Sequence, residues 1–174
     1  IKLASAPGVA TPLQQRVLAE LNRARGTPQA FAQDLVRFRG FFRDGVIHFP
    51  DNPVAMVSRE GTAAVDEALD FTRRQQALPE LTLSPVLTRA AEDHAAFLAG
   101  GHVGHDGEGG SNPSDRVVRR GGGRYVAEII SFGYDDATDV VRQFVVDDGV
   151  PSRGHRDMLY RANFRYAGVA CGSH

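Results

Sequence analysis

The run from Ser84 to Gly101 limits the fold more than any other part of the chain. Ser84 offers a side-chain oxygen to start a helix, Pro85 suits the first helical position, and Gly100-Gly101 stops the element. Between these signals Val86, Leu87, Ala90, Ala91, His94, Ala95 and Leu98 recur at helical spacing and form one wide apolar stripe. Such a helix must bury that stripe against a partner layer. His94 lies on the stripe, so a core histidine bonded to a nearby backbone or side-chain group is expected. The chain then enters Gly101-His102-Val103-Gly104-His105-Asp106-Gly107-Glu108-Gly109-Gly110, whose glycines permit sharp turns and contribute no packing.

Other helices are legible by the same signals. Thr11-Pro12 opens one with the stripe Leu13, Val17, Leu18 and Leu21, ending at Gly26. Pro28 to about Phe38 gives a second, and Thr62 caps a third through Val65, Ala68, Leu69 and Thr72. Between them Arg39 to Glu60 reads as an irregular excursion with one strand-like piece, Val46-Ile47-His48-Phe49, ordered by Phe41, Phe42 and Phe49. Ser111 to Asp115 starts a short helix that Gly121-Gly122-Gly123 stops. Tyr125 to Phe132 is a β-prone run with Glu128 in its middle. Asp136 or Thr138 begins the helix carrying Val140, Val141, Phe144 and Val145. A short helix near Arg156–Tyr160 and a strand from Arg165 to Cys171 complete the reading.

With 174 residues the chain is one domain, large enough to bury a core without staples. Lys+Arg 20 against Asp+Glu 21 gives a net charge of −1, so no global basic field recruits nucleic acid. No apolar run approaches the roughly 18–20 residues that span a bilayer. One cysteine, Cys171, excludes an internal disulfide; it is expected as a small buried residue on the last strand. The start, Ile1 to Pro7, has no signal-peptide apolar region and reads as a processed terminus.

Chemistry gathers where the Phe144 helix ends. Asp147 and Asp148 sit at a helix C-terminus, where each acid costs about 0.3–1 kcal/mol against the macrodipole. A cation must compensate them, or they serve something else. Gly149, Pro151 and Gly154 then turn the chain into His155, flanked by Arg153 and Arg156, which are expected to neutralise the two acids. His102-x-x-His105 lacks the intervening Glu of a zinc-protease helix, and Asp106-Gly107-Glu108 lacks the alternating oxygens of a calcium loop. Two imidazoles, His105 and His155, with Glu128, Asp147 or Asp148 nearby, suit Zn²⁺. A triad of Ser152 or Ser131 with His155 lacks a nucleophile elbow.

Seven motifs in order give the chain a resemblance. Asn22-Arg23-Ala24-Arg25, Ala91-x-x-His94-Ala95, Gly104-His105 with Asp106-Gly107, Asp115-Arg116, Ala127-Glu128-Ile129, Gly154-His155-Arg156, and Phe164 with Ala167-Gly168-Val169-Ala170 follow as they do in the CAP superfamily. That superfamily joins cysteine-rich secretory proteins, antigen 5 proteins and plant pathogenesis-related proteins; lacking disulfides, the chain resembles the bacterial SCP-like extracellular members. The resemblance implies an α+β fold, a three-layer α-β-α sandwich with a central antiparallel sheet, over one domain, 1–174. Residues 26–79 look like an N-terminal helical and irregular insertion within it. It also implies a cleft of two histidines and two acids, carried over as His105, Glu128, Asp147 and His155, able to hold a divalent metal, zinc. Ile129 stands where the family has Asn, Phe144 where it has Trp, and Asp147 where it has Glu; Asp148 competes for that place. His174 has no counterpart, and either caps the cleft or is mobile.

The implied role is that of a secreted or periplasmic, monomeric binding protein, its target an extracellular protein, a lipid or a small molecule. A metal-dependent peptide or ester hydrolase with Glu128 or Asp147 as base, and a lipid or sterol carrier, are the alternatives.

Overall fold

The computed structural model describes residues 11–50 and 52–174. The reading of Ile1 to Pro7 lies outside them. Helix α1 (Pro12–Gly26) starts on a reciprocal capping box, in which Thr11 Oγ1 accepts the Gln14 N–H and Gln14 Oε1 accepts the Thr11 N–H. It turns directly into α2 (Pro28–Arg39), whose Phe31, Ala32 and Leu35 are fully buried. Burying a side chain such as Phe31 contributes roughly 1.5–3 kcal/mol. The excursion after α2 is more regular than its composition predicts. Strands β1 (Phe42–Arg43), β2 (Val46–Ile47) and β3 (Met56–Val57) pair antiparallel in that order, and Phe38 packs edge-on against Phe41 and Phe42.

Helix α3 (Thr62–Arg74) lays Ala64, Val65, Ala68 and Leu69 against α2 and the later helix α6 (Ala137–Val146). Its N-cap is Gly61 rather than Thr62, and Ser58 Oγ accepts the Gly61 N–H. One core therefore joins α1, α2, α3 and α6 with Leu159 and Tyr160 at the end of α7 (Gly154–Leu159). Residues 26–79 supply much of that core.

Arg25 ties this half together without any carboxylate. Fully buried, its guanidinium donates to the carbonyls of Leu159 (2.6 Å), Arg161 (3.1 Å) and Pro79 (3.2 Å). Burial pulls its pKa below the ordinary arginine value. The carbonyls at the end of α7 form the negative pole of that helix, which is why a cation fits there.

The second half is built on α4 (Pro85–Leu98), capped by Ser84, and α5 (Pro113–Arg119), capped by Asn112. A two-residue parallel pair connects it to the rest, β4 (Thr82–Leu83) against β5 (Tyr166–Ala167). At Gly168 a Cβ would stand 2.2 Å from the Leu87 carbonyl carbon, so only glycine lets the chain pass α4.

Two strand expectations are corrected. Tyr125 to Phe132 forms no strand among the described residues, and the Arg165–Cys171 run is paired only at Tyr166–Ala167. β-propensity describes fit to a pleated neighbour, and here Glu128 is drawn towards α5 while no strand runs alongside. The fold is α+β, and its described strands form two small sheets, the antiparallel β1–β2–β3 and the parallel β4–β5 pair. Both runs border a cleft of about 1500 Å³ between the helical halves, lined by Val86, Leu87, Ala91, Ile129, Val140 and Phe144. Cys171, expected on a buried strand, is exposed beyond β5. No helix among the described residues is long and apolar enough to cross a membrane.

Candidate functional site

The awkward acids at the end of α6 are explained by two other helices. Asp147 closes α6 in the left-handed region (φ 56), a conformation that Asp tolerates better than most residues. Its buried carboxylate accepts the His155 backbone N–H at 2.9 Å and that of Arg156 at 3.4 Å. Those are orphan donors in the first turn of α7, whose own N-cap, Arg153, provides no side-chain acceptor. Asp148 accepts the N–H groups of Arg59 (2.9 Å) and Glu60 (2.8 Å), immediately before α3, where the N-cap is a glycine. Acids that are unfavourable for one helix thus become capping groups near the starts of two others.

The compensating cations are present, but not where the sequence suggests. Arg153 and Arg156 do not pair with the Asp147 and Asp148 side chains. Arg156, buried, donates to the α6 carbonyls of Val145 (2.6 Å) and Val146 (3.0 Å) and to Glu67 (2.8 Å). Arg153 donates to the Asp147 carbonyl (2.8 Å), to both Glu60 oxygens (2.7 Å each) and to Glu67 (2.7 Å). A guanidinium has five donors, enough to satisfy helix-end carbonyls and distant glutamates together.

The other Asp147 oxygen fixes the imidazole. His155 Nδ1 lies 2.6 Å from Asp147 Oδ1, and the Phe144 ring is 5.7 Å from the imidazole ring. Because the carboxylate only accepts, Nδ1 carries the proton of this contact, and in the neutral ring the lone pair is on Nε2. Of the two acids, Asp147 bonds His155 and Asp148 turns to Arg59 and Glu60.

A matching pair forms at the Gly-rich loop. His105, half-exposed on the Gly-rich loop, has Nδ1 2.9 Å from Glu128 Oε1. Glu128 is held by buried Arg116 of α5, one of whose nitrogens is 2.8 Å from both carboxylate oxygens. The other terminal nitrogen donates to the carbonyls of His105 (3.0 Å) and Ser111 (2.6 Å), so one guanidinium fixes both acid and loop. Buried His94 donates from Nε2 to the Gly104 carbonyl at 2.9 Å and stands 3.7 Å from Glu128 Oε1. Its expected backbone bond is therefore present, one residue before His105. Gly107 seals the corner: a Cβ there would lie 2.9 Å from Arg116 Nη1 and 3.0 Å from Ser111 Oγ.

The remaining candidates go elsewhere. His102 stacks on Phe97 at 4.0 Å rather than joining His105. His174 donates to the His102 carbonyl at 2.9 Å and packs on Phe132. Ser131 hydrogen-bonds Gln143, and neither it nor Ser152 is bonded to His155 among the described residues.

Arg116, Glu60 and Glu67 were missed as site residues. Asp115-Arg116 is a recognisable motif with no role attached, whereas Glu60 and Glu67 carry no local signal, since their partners lie more than 80 residues away.

The donor chemistry fits a metal in one respect: both imidazoles give Nδ1 to a carboxylate, the arrangement that orients metal-binding histidines. It does not fit a four-ligand set. Every carboxylate oxygen of Glu128 and Asp147 already has a donor, and no group of three or more His, Cys, Asp or Glu among the described residues is placed to hold an ion. Any direct ligation at these pairs would therefore fall to the His105 and His155 imidazoles with solvent.

Comparison with curated proteins gives no match, and neither does comparison with solved structures. A model of the CAP family, described as the cysteine-rich secretory protein family, matches residues 18–174, which include both histidine–acid pairs and the Arg153–Glu60–Glu67 cluster. On that extent of agreement the chain belongs to the CAP family.

Proposed function

We propose that this CAP domain is an exported binding module whose recognition elements are His105 and His155, offering Nε2 to a divalent metal, zinc by its preference for imidazole. The observation that carries the reading is the pair of Nδ1–carboxylate contacts, 2.9 Å at Glu128 and 2.6 Å at Asp147. Glu128 and Asp147 then orient the rings rather than ligate. When bound, zinc would supply a Lewis acid with solvent positions open to a donor atom from a partner. A three-layer α-β-α sandwich, implied by the family, is the architecture proposed to carry the two pairs.

Binding is favoured over hydrolysis because neither acid is free to act as a base. Glu128 shares both oxygens with Arg116, and Asp147 is buried under three donors. The test is calorimetric titration of zinc into the wild type, His105→Ala and His155→Ala. Strong heat from the wild type and little from either variant is expected; equal heats from all three would overturn the metal reading.

A second reading, an apolar or lipid ligand, has its own observation in the cleft of about 1500 Å³ lined by Val86, Leu87, Ala91 and Ile129. Pockets with predominantly hydrophobic walls take such ligands. A fluorescent fatty acid that bound the metal-free protein and His105→Ala equally would favour it.

A further inference from the structure

The Asp147–His155 pair is held from outside its own segment. The chain from Val145 to Arg156 is tied to residues 59–67 in both directions. Asp148 accepts from the backbone of Arg59 and Glu60; in return Glu60 Oε1 accepts the Gly149 N–H at 2.6 Å. Arg153 occupies the centre. Its guanidinium donates inward to the carbonyls of Asp147 (2.8 Å) and Val150 (3.2 Å), and outward to Glu60 and Glu67. Its backbone is left-handed (φ 50), which costs a residue with a Cβ about 1 kcal/mol or more, so surrounding contacts must hold it there. Gly149 closes the same corner, since a Cβ would meet Arg59 Cδ at 2.3 Å. Arg156 repeats the pattern, bonding Glu67 and the last carbonyls of α6.

The consequence falls on the imidazole. His155 follows Arg153 by two residues, and its ring and backbone both bond the carboxylate whose own carbonyl Arg153 holds. Moving Arg153 shifts Asp147 and the first turn of α7 together. A 2.6 Å Nδ1···Oδ1 contact tolerates little such movement.

We propose that Arg153 and Glu60 are positioning residues for the His155 imidazole, so that the 59–67 segment sets the tautomer and aim of a site to which it contributes no ligand. The inference extends the reading of His155 as a recognition element. It assigns residues 26–79 a functional connection in addition to their share of the core.

The experiment reads the tautomer directly, by long-range ¹H–¹⁵N NMR of the histidine rings at about pH 8, where an ordinary imidazole is neutral. Wild-type His155 should be in the Nδ1–H form. Arg153→Gln and Glu60→Gln should each shift it towards Nε2–H, with His105 unchanged, and weaken zinc about tenfold, the scale of losing an outer-shell partner. The double variant should exceed Arg153→Gln only by what the Glu60–Gly149 contact contributes, because Glu60 otherwise acts through Arg153. Folded variants, judged by unchanged near-ultraviolet circular dichroism, in which His155 stays wholly Nδ1–H would overturn the proposal. Should Arg153→Gln not fold, Glu60→Gln and the more exposed Glu67→Gln decide it: an unchanged tautomer in both overturns it. Absence of zinc binding by the wild type would sink the metal reading alone, since the tautomer is read on metal-free protein.

Discussion

The two histidine–acid pairs look alike in composition and differ in how they are held. Asp147 sits in the packed half, its carboxylate bonded to backbone amides of α7 and its carbonyl to Arg153; the load is spread over two helix ends and two glutamates. Glu128 sits in a run without strand partners, beside the cleft, and depends on one cation, Arg116, for both oxygens. The difference teaches that an identical acid–imidazole contact can be anchored to the fold by many bonds at one place and by one cation at another. Removing one residue should therefore cost the fold more stability on the Glu128 side.

Arg116→Ala is the strongest way to break the comparison. It strands a mostly buried carboxylate and frees the carbonyls of His105 and Ser111, which should cost about 3 kcal/mol. Urea unfolding measures this; a loss below about 1 kcal/mol would mean that Glu128 has support besides Arg116.

Gly107→Ala acts on the same corner by sterics alone. The added methyl meets Arg116 Nη1 at 2.9 Å and Ser111 Oγ at 3.0 Å, both on buried residues, so about 1–3 kcal/mol should be lost. The His105 tautomer should change while His155 keeps its own. Parallel changes at both rings would show that the pairs are coupled rather than independently held.

The smallest effect sharpens the packed side. Arg153, and next the Gly149 N–H, pull the Glu60 carboxyl from its usual 4.5 down to about 2, and Arg153 also lowers Glu67. A group whose folded pKa lies below its unfolded value stabilises the fold fully above the unfolded pKa. That contribution is then lost as pH falls from about 4.5 towards 2. Urea midpoints measured down this window should decline, and Glu60→Gln should flatten the decline. An equal slope in the variant would assign the acid sensitivity to other carboxylates.

How much of this was legible follows from the range of each interaction. Helices α1, α2, α4 and α5 are set by caps, prolines and apolar spacing within a few residues, and their ends fall close to where those signals put them. The Tyr125–Phe132 run shows the opposite. Its β-prone residues state a preference, but a strand requires a neighbour, and none is encoded locally. Phe41, Phe42 and Phe49 were visible as an ordering cluster, whereas the pairing of β3 onto β2 was not.

The site divides along the same line. By itself the sequence offered His105 and His155 with Glu128, Asp147 or Asp148, and the electrostatic oddity of two acids at the end of α6, from residue type and near-neighbour spacing; the set of four was what the family resemblance implied. Only the tertiary structure decided what those acids do. Asp147 turns to α7 and His155, Asp148 to the approach to α3, and the arginines that seemed to be their partners go to Glu60, Glu67 and helix-end carbonyls. A carboxylate accepts from any donor of suitable geometry, so its partner is fixed by which donors the fold brings within about 3 Å, and the 59–67 segment arrives from more than 80 residues away.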